Sequence, residues 1–160
     1  REISKLLFIY KISILTLERE VTFSEFIKPI CLWTYKDVDL NVAAGRDAYA
    51  VGYGRDETGK DSEIRKHARV TVQDQIECKI HYAERLEEGK EVQHFCAKGN
   101  GSEAPCYYDL MLYMKVDSKW YLRGIASTTR TFSNGTCDVD KPTLYEDIVQ
   151  HAEWILNQIN

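Results

Sequence analysis

The sequence predicts an all-β barrel or sandwich that ends in a single α-helix. Apolar and polar residues alternate in short segments, as in Ala68–Gln73 and Leu110–Val116, and such alternation is typical of half-buried strands. A polar turn at 117–118 separates the second segment from Trp120–Ile125, which is the pattern of a β-hairpin. Near the end of the chain, apolar residues recur at helical spacing and predict an amphipathic helix over Tyr145–Asn160.

Two more segments extend the strand pattern towards the beginning of the chain. Ile12–Leu15 starts a short β-like run, and Ala48–Val51 is a small buried-strand candidate closed by Gly52-Tyr53-Gly54. The polar stretch Arg55–Ser62 predicts an exposed loop. The 160 residues contain no internal repeat, and they are enough to bury the core of one compact domain.

Composition argues against several classes of partner. The chain is 44% hydrophobic and 29% charged with a net charge of -4, so we expect no nucleic-acid partner. No apolar run approaches the roughly 18 residues that a membrane span requires. The apolar run Leu6–Tyr10 is short, Lys11 ends it, and no small-residue cleavage site follows, so we expect no signal peptide within the chain.

The cysteines favour an oxidising setting over metal binding. The five are Cys31, Cys78, Cys96, Cys106 and Cys137. None forms a C-x-x-C pair and no histidine lies at metal-ligand spacing from them, so we expect no metal site and no cofactor. Asn100 and Asn134 begin N-x-[ST] sequons beside glycines. Together these features predict a secreted, extracellular glycoprotein.

Stretches in a fixed order resemble the chymotrypsin- and trypsin-like serine proteases, most of all their arthropod members. Leu17–Trp33, "LEREVTFSEFIKPICLW", resembles the end of the first barrel and the interdomain linker. Val51–Gly54 resembles the V-x-G-W-G opening of the second barrel, and Lys119–Ser127, "KWYLRGIAS", resembles the hairpin after the nucleophile loop. The C-terminal pattern of the family is matched by Cys137, Pro142, Tyr145, Trp154 and Ile155.

The resemblance implies a chymotrypsin-like antiparallel Greek-key β-barrel with a C-terminal α-helix. Residues 1–30 match a remnant of the first barrel, 31–46 the interdomain linker, 47–144 the second barrel and 145–160 the helix. Together they would form a partial, N-terminally truncated peptidase domain, in which the part that carries the family's catalytic histidine is absent. None of the four histidines of the chain has the A-A-H-C context of that residue. They are His67, His81, His94 and His151.

The catalytic positions that the resemblance identifies carry the wrong residues. Lys11 stands where the family has the aspartate that orients the histidine. The C-x-G-D-S-G-G motif is matched by Cys106–Leu112, so that either Leu110 replaces the serine or a Ser-Gly-Gly-Gly block is deleted after Asp109. Both alternatives leave no nucleophile, and Tyr108 replaces the glycine whose N–H helps to form the oxyanion hole.

The substrate site implied by the resemblance is degenerate as well. Ser127 matches the serine of the S-W-G segment, but Thr128 and Thr129 replace the tryptophan and the glycine. Thr143 stands where a glycine of the specificity pocket is usual, and Ala104 or a neighbour replaces an aspartate at the pocket base. Asp109 matches the residue that pairs with a newly freed N-terminus on zymogen activation.

The resemblance also implies the state of each cysteine. It pairs Cys78 with Cys96 and Cys106 with Cys137. Cys31 matches the cysteine that ties the protease domain to its pro-region, so here we expect it to be free or to form an intermolecular disulfide.

These matches predict a non-catalytic serine protease homologue, a pseudoenzyme. The expected role is that of a binding or regulatory protein in an extracellular proteolytic cascade, with proteases or their substrates as partners. One alternative is the family's own activity, a trypsin-like serine endopeptidase. Another is a truncated copy without a function of its own.

Overall fold

A computed structural model describes residues 3–9, 12–33, 43–54, 60, 62–84, 86, 93–100 and 110–159. The strands, in chain order, are β1 (Ile3–Ile9), β2 (Ile12–Leu17), β3 (Cys31–Leu32), β4 (Asp47–Gly52), β5 (Lys66–Val72), β6 (His94–Gly99), β7 (Met111–Val116), β8 (Lys119–Thr128) and β9 (Thr143–Asp147). The helices are α1 (Gln75–Tyr82), a 3₁₀ helix (Ile148–His151) and α2 (Ala152–Ile159).

Six antiparallel strands close into a barrel, which confirms the predicted fold class. Each strand is hydrogen-bonded to the next in the order β8-β7-β4-β5-β6-β9, and β9 pairs with β8 to complete the ring. Strand β8 has ten residues. One of its edges pairs with β7, and the other edge pairs first with β3 and then with β9. Cys31 and Leu32 of β3 pair in parallel with Tyr121 and Leu122, whereas the later part of β8 pairs with β9.

The hairpin between β7 and β8 forms at the position that the sequence predicts. Its two connecting residues, Asp117 and Ser118, have φ angles of 47° and 67°. A two-residue turn with both φ angles positive matches the right-handed twist of the flanking strands. The turn sets the register Val116↔Lys119, which continues to Lys115↔Trp120.

The barrel interior holds one main core, to which every barrel strand contributes. The buried residues of this core are Trp33, Ala43, Ala48, Ala50, Val70, Val72, Phe95, Ala97, Leu110, Leu112, Met114, Ala126, Tyr145 and Val149. A second cluster under α1 contains Cys78, Tyr82, Leu86, Cys96 and Leu144. The alternating segments in the sequence therefore contribute their apolar positions to one closed interior.

The C-terminal helix begins later than predicted, so the predicted boundary at Tyr145 is wrong. Tyr145 lies in β9, where all five residues are buried, and α2 begins only at Ala152. The 3₁₀ helix joins the two, and the Asp147 side chain accepts a hydrogen bond from the Val149 N–H at its start. The apolar residues of this region are buried in a strand as well as on a helix face, and a helical period alone does not separate the two.

Two further elements lie outside the barrel, a two-stranded sheet and the helix α1. Strands β1 and β2 form a separate two-stranded antiparallel sheet with the register Leu6↔Leu15. Helix α1 was not predicted from the sequence; Asp74 caps it by accepting a hydrogen bond from the Glu77 N–H at 2.8 Å. Among the described residues, no helix is long and apolar enough to cross a membrane.

Candidate functional site

Leu110 either replaces the nucleophile or follows a deleted block that contained it, and its side chain lies in the barrel core. It precedes β7, is 6% exposed and belongs to the main core. Its carbonyl oxygen accepts a hydrogen bond from the Ala126 N–H at 2.8 Å, which ties the entry of β7 to β8. Lys11, Tyr108 and Asp109 lie outside the described residues, so the structure places only part of the predicted site.

The described residues of the predicted substrate site lie where β8 ends and β9 begins. We call them the substrate wall: Ser127, Thr128, Thr129 and Thr143. Thr128 pairs with Leu144, one residue after Thr143. Ser127 and Thr143 are both buried, and a register shift occurs between Ala126 and Thr128. The Thr128 hydroxyl donates to the Thr129 carbonyl at 3.4 Å. Threonine side chains therefore occupy the strand ends at which the resemblance expects a tryptophan and two glycines.

Helix α1 holds this wall through Tyr82, a residue that the sequence did not single out. Its buried hydroxyl donates to the Pro142 carbonyl and lies 3.5 Å from the Thr128 carbonyl. Burial raises the pKa of Tyr82 to about 12, although Arg130 and a backbone hydrogen bond act in the opposite direction. A tyrosine four residues after a cysteine carries no sequence signal for this role, since both contacts span more than 40 residues of chain.

Arg130 fastens the segment after β8 to the same helix. Its guanidinium lies over the Tyr82 ring at 4.9 Å, and its Nε–H donates to the His81 carbonyl at 3.0 Å. Its Nη1 atom pairs with the Glu84 carboxylate at 3.0 Å, and Nη2 also donates to the His81 carbonyl. The contacts of Tyr82 and Arg130 therefore stabilise this part of the structure, and none of them is a contact that proton transfer would require.

Two of the four histidines converge on one buried carboxylate. The Nε2 atom of His151 lies 2.8 Å from Oε1 of Glu146, and that of His94 lies 3.2 Å from Oε2. Burial acts to raise the pKa of Glu146, but hydrogen bonds and charge interactions with the two histidines outweigh it and lower the pKa. The group links β6, β9 and the 3₁₀ helix.

A buried ion pair lies beside this group on the next residue of β9. Arg123 and Asp147 are 1% and 0% exposed, and their side chains meet at 2.9 Å. The guanidinium lies 5.0 Å from the Trp33 ring centroid and 5.9 Å from that of Phe95. Burial raises the pKa of Asp147 to about 6 in spite of the lowering effect of Arg123. This pair attaches Trp33, just after β3, to the barrel core.

The other two histidines lie apart from Glu146. His67 is exposed on β5, and His81 lies in the last turn of α1, 3.7 Å from Glu77. Within the described ranges, no group of three or more histidine, cysteine or acidic residues is arranged to hold a metal ion.

The cysteines fall into bonded and unbonded positions. Cys78 and Cys96, the pair implied by the resemblance, form a disulfide that connects α1 to β6. Cys137 is also disulfide-bonded, and its expected partner Cys106 lies outside the described residues. Cys31 is a free thiol at an intermediate level of burial in β3.

Both predicted glycosylation asparagines are exposed. In the turn that holds Asn134, the side-chain oxygen of Asn134 accepts hydrogen bonds from the Thr136 N–H at 3.0 Å and the Thr136 hydroxyl at 2.7 Å. Asn100 directly follows β6.

Comparison with known proteins agrees with this architecture. A family profile described as Trypsin matches residues 8–155. Melanization protease 1 of Drosophila melanogaster is 30% identical over 155 residues, which cover 92% of this chain and 38% of that protein. CLIP domain-containing serine protease B4 of Anopheles gambiae is 27% identical over 151 residues, covering 92% and 41%. Phenoloxidase-activating factor 1 of Holotrichia diomphalia is 26% identical over 154 residues, covering 94% and 40%.

The chain spans about two fifths of the length of these relatives. The profile match nevertheless extends over almost all of this chain, and the barrel is the one that the motifs imply. The chain belongs to the trypsin family of serine proteases.

Proposed function

We propose that this chain is a non-catalytic serine protease homologue that acts as a binding or regulatory protein of an extracellular proteolytic cascade. The matched motif Cys106–Leu112 contains no serine, and this observation carries the proposal. Acyl transfer requires a nucleophilic side chain that faces a cleft beside a general base. Leu110 instead contributes an inert alkyl group to the barrel core.

The position of Leu110 favours one of the two alignments of the nucleophile motif. A residue that replaced the serine would face the cleft, whereas Leu110 packs inward and begins the alternation that continues through Leu112 and Met114. This supports the deletion of a Ser-Gly-Gly-Gly block after Asp109. Either alignment removes the nucleophile from the chain.

The position of the orienting aspartate supports the same conclusion from charge. Catalysis in this family generates an imidazolium that a buried aspartate stabilises. The ammonium group of Lys11 at the matching position would repel that cation. Lys11 lies outside the described residues, so this argument rests on the sequence alone.

The surroundings of the histidines and the wall also support the proposal. His94 and His151 both direct Nε2 to Glu146, and so the ring nitrogen that would take a serine proton is already bonded to a carboxylate. The buried Thr143 fills a position at which the family needs a glycine to leave a pocket open. These features favour a structural role for the two histidines, and a binding role for the chain over a catalytic one.

The cascade role is supported by the relatives. One is named a melanization protease and another a phenoloxidase-activating factor. Partners of this chain would then be proteases or their substrates, and the free Cys31 would allow an intermolecular disulfide. Two relatives are named as proteases, which favours a second candidate, a trypsin-like endopeptidase.

An activity-based probe separates the two candidates. We expect no labelling of the purified chain by a fluorophosphonate and no turnover of a fluorogenic peptide panel, with an active trypsin as the positive control. Leu110→Ser should stay unlabelled because no histidine of the chain has the sequence context of the family's catalytic base, and Leu110→Ala controls for the lost bulk. Inhibitor-sensitive labelling of the natural chain at any serine would establish the endopeptidase instead.

Secretion and glycosylation belong to the same proposal. The exposed Asn134 turn and the disulfides suit an extracellular protein, in which at least one of Asn100 and Asn134 would carry a glycan. Material secreted from insect cells should lose mass on treatment with an N-glycosidase. Asn134→Gln should reduce that loss, and unchanged mass for the natural chain would contradict the assignment.

A further inference from the structure

The outer surface of β4, β7 and β8 carries an unusual concentration of aromatic side chains. We call it the aromatic face; it consists of Tyr49, Tyr113 and Trp120 together with the neighbouring Met111. Tyr49 pairs with Tyr113 across the sheet, and its ring meets that of Trp120 edge-on at 5.3 Å. The Tyr113 hydroxyl lies 3.2 Å from the Met111 sulfur.

These residues face outward, where an antiparallel sheet normally presents polar side chains. In β7 the buried Leu112 and Met114 alternate with Met111, Tyr113 and Lys115, which are exposed or half-buried. Met111 is 44% exposed and Trp120 is 40% exposed. Tyrosine, tryptophan and methionine are enriched at protein interfaces, and tryptophan and tyrosine are also enriched among the hot spots of binding energy.

Two cations border the aromatic face. The Lys115 ammonium lies 5.8 Å from the Trp120 ring centroid. The Arg65 guanidinium lies 5.8 Å from the centroid of the exposed Tyr53 ring, and Arg65 directly precedes Lys66, which pairs with Gly52 at the end of β4. No carboxylate of the described residues pairs with either of them, whereas the nearby Arg69 is already paired with Asp47. Both positive charges are therefore available to a partner.

The charge of this surface determines what would fit it. The whole chain has a net charge of -4, but the free charges on this face are positive. A second copy docked through the same face would bring like charges together, which disfavours a symmetric dimer. A partner with carboxylates would neutralise Arg65 and Lys115 while its apolar groups cover Met111 and Trp120.

The arrangement of the rings favours a peptide over a flat stacking ligand. Tyr49 and Trp120 already contact each other edge to face, and Lys115 lies over the Trp120 ring. A nucleobase or a sugar needs an open ring face to stack on. We propose that the aromatic face, with Arg65 and Lys115, docks an acidic peptide segment of a protein partner. This inference rests on the proposed binding role and names the chemistry of its partner.

The test measures binding of defined peptides to the full chain. A short fluorescein-labelled peptide of alternating glutamate and leucine should bind, by anisotropy, more tightly than its lysine–leucine counterpart, and added salt should weaken it. The double variant Arg65→Glu/Lys115→Glu should weaken binding about tenfold, because two favourable ion pairs become repulsive. Lys141→Glu makes the same charge change in the exposed loop before β9 and should leave binding unchanged.

Trp120→Leu tests the apolar part of the surface independently of charge and should also weaken the glutamate–leucine peptide. Equal affinity for the two peptides, or unaltered binding by the double variant with native circular dichroism, would overturn the proposal. Tighter binding of a sulfated oligosaccharide than of the acidic peptide would overturn the choice of a peptide. These outcomes are distinct from fluorophosphonate labelling, which bears on catalysis and not on this surface.

Discussion

Gly124 shows how a residue without a side chain leaves room for the Phe95 ring beside Arg123. A Cβ atom at this position would lie 2.7 Å from the Phe95 ring. That ring is buried and stacked on Tyr145 with centroids 5.5 Å apart, so it has no room to move away. The close approach keeps Phe95 against the guanidinium of Arg123, the residue before the glycine.

At the residue scale, Glu146 predicts how stability depends on pH. Its pKa is lowered in the folded chain, so its contribution is present above the unfolded value of about 4.3 and is lost as the pH falls through the folded value. We expect Glu146→Gln to cost about 1–3 kcal/mol near neutral pH, because two hydrogen bonds to a buried carboxylate are weakened. Below about pH 5 the difference from the natural chain should shrink.

Urea unfolding of both proteins at several pH values measures this difference. Asp147 has the opposite sign: its pKa is raised to about 6, so its contribution is present at low pH and is lost as the pH rises through that value. This contribution of Asp147 is the same in the natural chain and in Glu146→Gln, so it cancels from the difference in stability between them. Glu77→Gln makes the same change at an exposed carboxylate near His81 and should alter stability little at any pH. A difference that stayed constant down to pH 3, roughly one unit below the unfolded pKa, would show that Glu146 is not stabilising as an anion.

At the element scale, the β1–β2 hairpin should make the chain associate. It is a separate sheet of two strands, and such hairpins are marginally stable alone. Leu15 is 52% and Leu17 is 37% exposed on β2, beside strand edges that can accept another chain. We expect oligomers to grow with concentration in sedimentation velocity. Leu15→Glu/Leu17→Lys should reduce them without altering the unfolding midpoint of the barrel.

A matched substitution distinguishes the hairpin from general surface apolarity. Ile76 on α1 is 74% exposed, so Ile76→Lys removes a similar group from a helix that presents no strand edge. This variant should associate as the natural chain does. A natural chain that remained monomeric at high concentration would contradict the prediction that the hairpin makes the chain associate.

The elements differ in how readily the sequence predicts them. Alternation identifies β5 and β7 because each has one buried face, and the turn at Asp117 and Ser118 fixes β8 as the hairpin partner of β7. Helix α1 is not predicted from the sequence because Ile76 and Ile80 on its outer face are exposed. These apolar residues obscure an amphipathic pattern. Strand β9 is buried throughout and is continuous with a helical pattern, so its boundary needs tertiary contacts.

The candidate site divides in the same way. Lys11 and Leu110 can be recognised as substitutions because they lie inside motifs that the family keeps in order. The network of Glu146, His94 and His151 could not be predicted, since His94 lies 52 positions before Glu146 and meets it only through the pairing of β6 with β9. Polar residues that meet only across a closed barrel leave no local pattern in the sequence.

At the scale of the whole molecule, the cysteines decide how the chain is tied together. Cys78 and Cys96 are fully buried and close a loop with a sequence separation of 18. In the chain-entropy model, closing a loop of this size stabilises by about 3 kcal/mol. Their bond fastens α1, and therefore Tyr82 and the segment that Tyr82 holds, to β6.

We predict that Cys78→Ala/Cys96→Ala lowers the free energy of unfolding by about 3 kcal/mol or slightly more, because the small side chains also leave a void in the second core. Cys31→Ser should leave that free energy nearly unchanged, since Cys31 is a free thiol and takes part in no disulfide. Any covalent dimer on non-reducing gels should be absent from the Cys31→Ser protein. Peptide mapping without reductant is decisive: a peptide that joins Cys31 to any of the other four cysteines would overturn the assigned pattern, and with it the proposal of an intermolecular bond.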